Sequence, residues 1–160
     1  MKKAPQAVVV GIGQPHAGDD AVGIQVARTL AAEGFTTCEC EDATRVLELL
    51  SDGERVVVID ALVGGVVGAV VHVHPDALKT EVPPVSSHGL SLAQAIGLAR
   101  TLYGEDILTR LDIVGVGIDR PRAGAHGLSH AVRKAVAPAA ELVRRLASHR
   151  HHHADVARWA

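Results

Sequence analysis

At 160 residues the chain can form one domain with a sizeable core and is too short for two ordinary ones, which run to about 100–200 residues each. Its 48% hydrophobic content, 21% charged content and net charge of −2 exclude bulk disorder. With only Phe35, Tyr103 and Trp159 as aromatics and no basic excess, it lacks the field and the stacking platforms of a nucleic-acid binder, and no apolar run reaches the ~18 residues of a helical membrane span.

The basic start, Met1-Lys2-Lys3, leads into a short Val run and a glycine loop with no small-residue cleavage pattern, so residues 7–11 read as a first strand rather than a signal peptide. After a loop to Asp19, a helix is predicted over 20–32, where Val22, Val26 and Leu30 recur at helical spacing. Residues 36–41 form a second strand. Asp42 then serves as N-cap of a short helix ending near Leu50, and 55–60 (Arg-Val-Val-Val-Ile-Asp) is the continuous apolar run of a strand buried on both faces.

Over 64–74 a glycine turn precedes a fourth strand without an intervening helix. Such a return is too short for a right-handed crossover, so this strand should run antiparallel to its neighbour. Residues 81–89, with Pro83-Pro84, are loop; Ser91 caps a helix to about Tyr103; 112–118 form the last strand. The last helix spans 129–148, with Pro138 expected to kink or interrupt it. The alternation of strands and helices specifies an α/β domain over 1–148, mostly parallel, while 149–160, rich in histidine, reads as a frayed tail.

Cys38 and Cys40, at i, i+2 on a strand, share a face and are not placed to bridge distant elements, so a reducing, cytoplasmic location is expected. Neither stands at a helix N-terminus and no Gly-x-Ser-x-Gly elbow occurs, which leaves no activated nucleophile.

Ligands of open α/β sheets bind beyond the carboxyl ends of the strands. Here those ends are acidic: the first strand leads to Asp19-Asp20, the second to Asp42, the third to Asp60, and the proline loop brings His88. The glycine loop fails the dinucleotide fingerprint, because His16 takes the third glycine's place, and lacks the Lys-Ser/Thr of a P-loop. Paired acids at the helix start would also repel a pyrophosphate. One of them could cap the helix and the other complement its dipole, worth ~0.5–1 kcal/mol. Asp60 is different, since a carboxylate ending an apolar strand is desolvated unless it meets a metal, a cation or backbone donors. With His88 these acids make an O,O,N set with open coordination positions, suited to Zn, Ni or Fe rather than Ca or Mg. His72 with His74, and His126 with His130, read as solvated pairs, and Asp119 and Arg120 could pair across the site.

The run Gly11-Ile12-Gly13-Gln14-Pro15-His16-Ala17-Gly18-Asp19-Asp20-Ala21-Val22-Gly23, Asp42 before Ala-Thr, Val-Ile-Asp60-Ala, Ser-His88-Gly-Leu and Val-Gly-Val-Gly-Ile-Asp119 follow one another across about 7–145. Together they resemble the hydrogenase maturation endopeptidases, which trim a C-terminal extension from the nickel-containing large subunit. Gln14 stands where that family usually has Asn, Ala21 and Ala43 where it often has Gly, and Asp119 where Glu is common.

The resemblance implies a three-layer α/β/α sandwich around a mixed five-stranded sheet of order 2-1-3-5-4, with strand 4 antiparallel. It implies metal contacts from Asp20, Asp60 and His88, and roles in the reaction for Asp42 and Asp60. The nickel would be carried by the substrate, a nickel-iron hydrogenase large-subunit precursor, with no permanent metal on a monomeric, cytoplasmic enzyme. A rival reading is a non-enzymatic nickel-binding chaperone or adaptor that stores metal on the histidine tail and on His72 and His74.

Overall fold

The structure, a computed structural model, describes residues 6–78 and 89–148. Five strands form one sheet of order β2-β1-β3-β5-β4, with β1 at Val8–Ile12, β2 at Thr37–Cys40, β3 at Val56–Val63, β4 at Val70–Val73 and β5 at Leu111–Ile118. All neighbours pair in parallel except β4, which runs antiparallel to β5. The fold therefore has the order and direction that the resemblance implies. The glycine turn between β3 and β4 is the reason for the reversal, since only a crossover helix could bring β4 back parallel.

Four helices cover the sheet: α1 (Val22–Ala32), α2 (Thr44–Ser51), α3 (Leu92–Tyr103) and α4 (His130–Ser148). On one face Val9, Val57, Ile59, Val114 and Val116 pack with Val22, Val26 and Leu30 of α1 and Val132, Ala139 and Val143 of α4. On the other, Val10, Val56, Val58 and Ile113 pack with Val46 and Leu50 of α2 and Ala95, Ile96 and Ala99 of α3. Because β3 and β5 lie between both helix layers, their side chains are apolar on both faces apart from Asp60 and Asp112. Each fully buried Val or Ile contributes ~1.5–3 kcal/mol of transfer free energy. Ser91 starts α3 as expected, its Oγ accepting from Gln94 N at 3.1 Å while Ser91 N donates to Gln94 Oε1 at 2.9 Å.

Several local expectations change. The helix predicted from Asp20 begins at Val22, because Gly18–Ala21 form a 3₁₀ turn whose two acids bond elsewhere. Ala43, not Asp42, occupies the cap position of α2; Asp42 stands one residue earlier and accepts from Thr44 N at 2.8 Å. Pro138 does not interrupt α4, which continues to Ser148. Pro138 and Lys134 both lie on the exposed face, where the carbonyl that Pro138 cannot bond is open to water. A 3₁₀ turn at Glu105–Arg110, which buries Ile107, had no clear periodic signal.

His72 is not merely solvated, since its Nε2 lies 3.0 Å from Oδ1 of the buried Asp112. His74 Nδ1 accepts from Asp76 N at 3.2 Å and caps a 3₁₀ turn. Residues 79–88 and the histidine tail lie outside the described residues, and with them most of the expected 81–89 loop. Among the described residues no helix is long and apolar enough to cross a membrane.

Candidate functional site

The pairing of β1 with β3 ends at Gly11 opposite Ile59, whereas β3 continues beside β5 as far as Val63 opposite Ile118. Asp60 is therefore the first β3 residue beyond the register of β1, where β1 turns away into the glycine loop. That divergence is the position that the crevice rule for α/β sheets assigns to ligands.

Close backbone contact packs the base of this position. A Cβ on Gly23 would stand 2.4 Å from Ile12 O and 2.5 Å from Ile59 O, and one on Gly11 would stand 2.3 Å from Gly23 O. Only hydrogen fits between the start of α1 and the ends of β1 and β3. In the loop above, Gly13 N donates to Cys40 O at 3.0 Å, and a Cβ on Gly13 would meet Asp20 O at 2.1 Å.

The adjacent acids of the 3₁₀ turn have separate partners. Asp19 Oδ1 accepts from Ser129 N at 2.6 Å, which ties the turn to the entry of α4. Asp20 Oδ2 accepts from Gln14 N at 3.0 Å and remains with the loop. Its charge reaches Asp60, whose Oδ1 accepts from Ala61 N at 2.8 Å. Burial pushes the Asp60 carboxyl up to about 7; the Ala61 N–H opposes the rise and the Asp20 charge adds to it. At neutral pH the site thus holds an acid pair in which Asp60 is close to half ionised.

Asp42 lies at the end of the neighbouring strand, and the Thr44 N–H bond holds its carboxyl below the usual range. A Cβ on Gly89 would stand 2.4 Å from Asp42 Oδ2, and Ala43 N donates to Leu90 O at 2.8 Å, so the chain leaving the proline loop runs along Asp42. Asp20 and Asp60 are brought together, while the charge that bears on Asp60 is that of Asp20 rather than Asp42. His88 lies outside the described residues. Among the described residues no group of three His, Cys, Asp or Glu side chains could hold a metal ion.

Chemically, a carboxylate pair near neutrality can receive a cation, and Asp60 can exchange a proton at little cost. Asp119 and Arg120 are exposed just beyond β5, and among the described residues neither makes an ion pair. The anchoring by Asp19 and the packing of Gly89 on Asp42 escape the sequence reading because they join residues distant along the chain; the glycines themselves are the available signal.

The comparisons with known proteins agree on this architecture. No family model matches the chain. It is 28% identical over 129 residues to Protein FrxA of Pyrococcus furiosus, covering 79% of this chain and 93% of that one. The NiFe hydrogenase maturation protease HybD of Thermococcus kodakarensis superposes with a TM-score of 0.65 at 25% identity, over 89% of this chain and 99% of its own. A NiFe hydrogenase maturation protease HycI from the same organism also gives 0.65 at 25% identity, over 91% and 94%.

Proposed function

We propose that this chain, which resembles the NiFe hydrogenase maturation proteases HybD and HycI of Thermococcus kodakarensis, is an endopeptidase of that family that removes the C-terminal extension of a nickel-loaded hydrogenase large-subunit precursor. The observation that carries this reading is the Asp20–Asp60 pair, with Asp60 half-buried at the divergence of β1 from β3 and its carboxyl raised by desolvation to about 7. Two acids held near one another are relieved by a positive charge. Here that charge is nickel already seated in the substrate.

Asp20, Asp60 and His88 contact this nickel, and Asp60 yields its proton as the contact forms. Recognition of the metal then reports that insertion is complete and brings the precursor's C-terminal segment to these carboxylates. Asp42, kept ionised by the Thr44 N–H, takes a proton from the water that attacks the scissile carbonyl. The C–N bond breaks as the leaving amine accepts a proton. A positioned general base contributes ~10²–10⁴ in rate, so Asp42→Asn should lose about that much.

The deciding measurement is the intact mass of the precursor before and after incubation with the protein, with and without nickel. Loss of a C-terminal peptide from the loaded precursor alone is the expected result. Equal cleavage of both forms would overturn recognition through nickel, and cleavage of neither form of a precursor drawn from the same genome would overturn the peptidase reading. His88→Ala and Asp60→Asn should abolish cleavage of the loaded form while leaving the fold intact.

A further inference from the structure

The proposed cleavage makes no use of the two cysteines, yet the fold places them in contact. Cys38 Sγ and Cys40 Sγ stand 3.3 Å apart on one face of β2, both half-buried and both free. Both sulfur-bearing residues keep part of their surface exposed, so a small oxidant can reach them on this edge strand. Burial, with the contact to Cys38, pushes the Cys40 thiol up to about 12, and the charge of Arg45, which pairs with Glu48 at 2.9 Å, opposes that rise only slightly. Asp42 is the other charged group that bears on Cys40. With Cys40 held as the neutral thiol by burial, the first attack falls to Cys38 and the closure to Cys40.

We propose that Cys38 and Cys40 are a hydroperoxide-sensitive dithiol whose closure to a disulfide displaces the glycine loop. The Cys38 thiolate attacks one peroxide oxygen, the O–O bond breaks, and a sulfenic acid and one water result. Cys40 sulfur then attacks the Cys38 sulfur and expels the second oxygen as water. Two thiols and one hydrogen peroxide become one disulfide and two waters, with the sulfurs losing the two electrons that the peroxide gains.

The consequence follows from strand geometry. Residues i and i+2 of a strand are about 6.6 Å apart, near the upper end of the ~4.4–6.8 Å that a disulfide spans, and the sulfurs must close from 3.3 Å to about 2.05 Å. Closure therefore shortens and puckers β2 at Glu39. The Cys40 carbonyl, which accepts from Gly13 N and lies in register with Ile12, moves with it. Gly13 has no slack on its other side, where it packs on Asp20 O. The perturbation passes to the loop that holds Asp20.

The test needs no hydrogenase and stands apart from the peptidase reading. The full chain is treated with hydrogen peroxide, and intact mass and the exchange rate of the Gly13 amide are followed before and after dithiothreitol. We expect a loss of about 2 Da and Gly13 exchange faster by about tenfold, both reversed by reductant and both absent in Cys38→Ser and in Cys40→Ala. Oxygen addition without the 2 Da loss, disulfide-linked dimers, or a disulfide that leaves Gly13 exchange unchanged would each overturn the proposal. If the disulfide forms and the peptidase reading also holds, the oxidised protein should fail to cleave and recover with reductant.

Discussion

Replacing Asp60 with asparagine separates what this carboxyl does for function from what it costs the fold. In the unfolded chain an aspartate titrates near 3.8, whereas burial raises Asp60 in the folded protein to about 7. Between those values the unfolded chain has released the proton and the folded chain has not, so stability falls as pH rises from about 4 to about 7 and then levels. At roughly 1.4 kcal/mol per tenfold, the penalty reaches roughly 4 kcal/mol near pH 8 but under about 2 kcal/mol near pH 5. The asparagine amide does not titrate, and any fixed cost of burying it is the same at both pH values. Urea unfolding followed by circular dichroism should therefore show the difference between Asp60→Asn and the native chain shift in favour of the variant by roughly 2–3 kcal/mol from pH 5 to pH 8. A difference that stays constant across this range would refute the claim that Asp60 is desolvated. Cleavage by the variant should be lost throughout, so the same substitution is expected to stabilise the protein near pH 8 and inactivate it.

Other substitutions test the scaffold around the site. Gly23→Ala puts a methyl within 2.4 Å and 2.5 Å of two strand carbonyls, neither of which can rotate away, and should cost at least about 3 kcal/mol in chemical denaturation. Asp19→Ala removes the acceptor of Ser129 N and should cost about 1 kcal/mol, with faster amide exchange at the start of α4 as the local signature. Ser91→Ala breaks the reciprocal cap of α3 and should lower stability by about 1 kcal/mol with no change at Asp60, measured as a shift in urea midpoint at constant slope.

Much of this molecule is legible residue by residue. The Val runs at 56–59 and 113–116 are buried strands because nothing in them tolerates water, and the Ser91–Gln94 spacing starts a helix through local bonds alone. Such features depend on neighbours within a few positions, so the sequence carries them directly. Asp60 also stands out in the sequence, because an acid ending an apolar strand needs an environment that offsets its desolvation. The paired acids of the glycine loop look equivalent there, and the difference between them is tertiary: Asp19 reaches Ser129, 110 positions away, while Asp20 turns to Gln14 and Asp60.

The chemistry of the strand ends and the alternation of strand and helix are thus properties of the sequence by itself, set by hydrophobic pattern and local hydrogen bonding. What only the tertiary structure decided is which of those ends come near one another, how far the Asp60 carboxyl departs from its ordinary value, and that His72 answers a buried Asp112. Each depends on how closely two distant backbones approach, and Gly11, Gly13 and Gly23 permit that approach without recording in the sequence which backbone will come near.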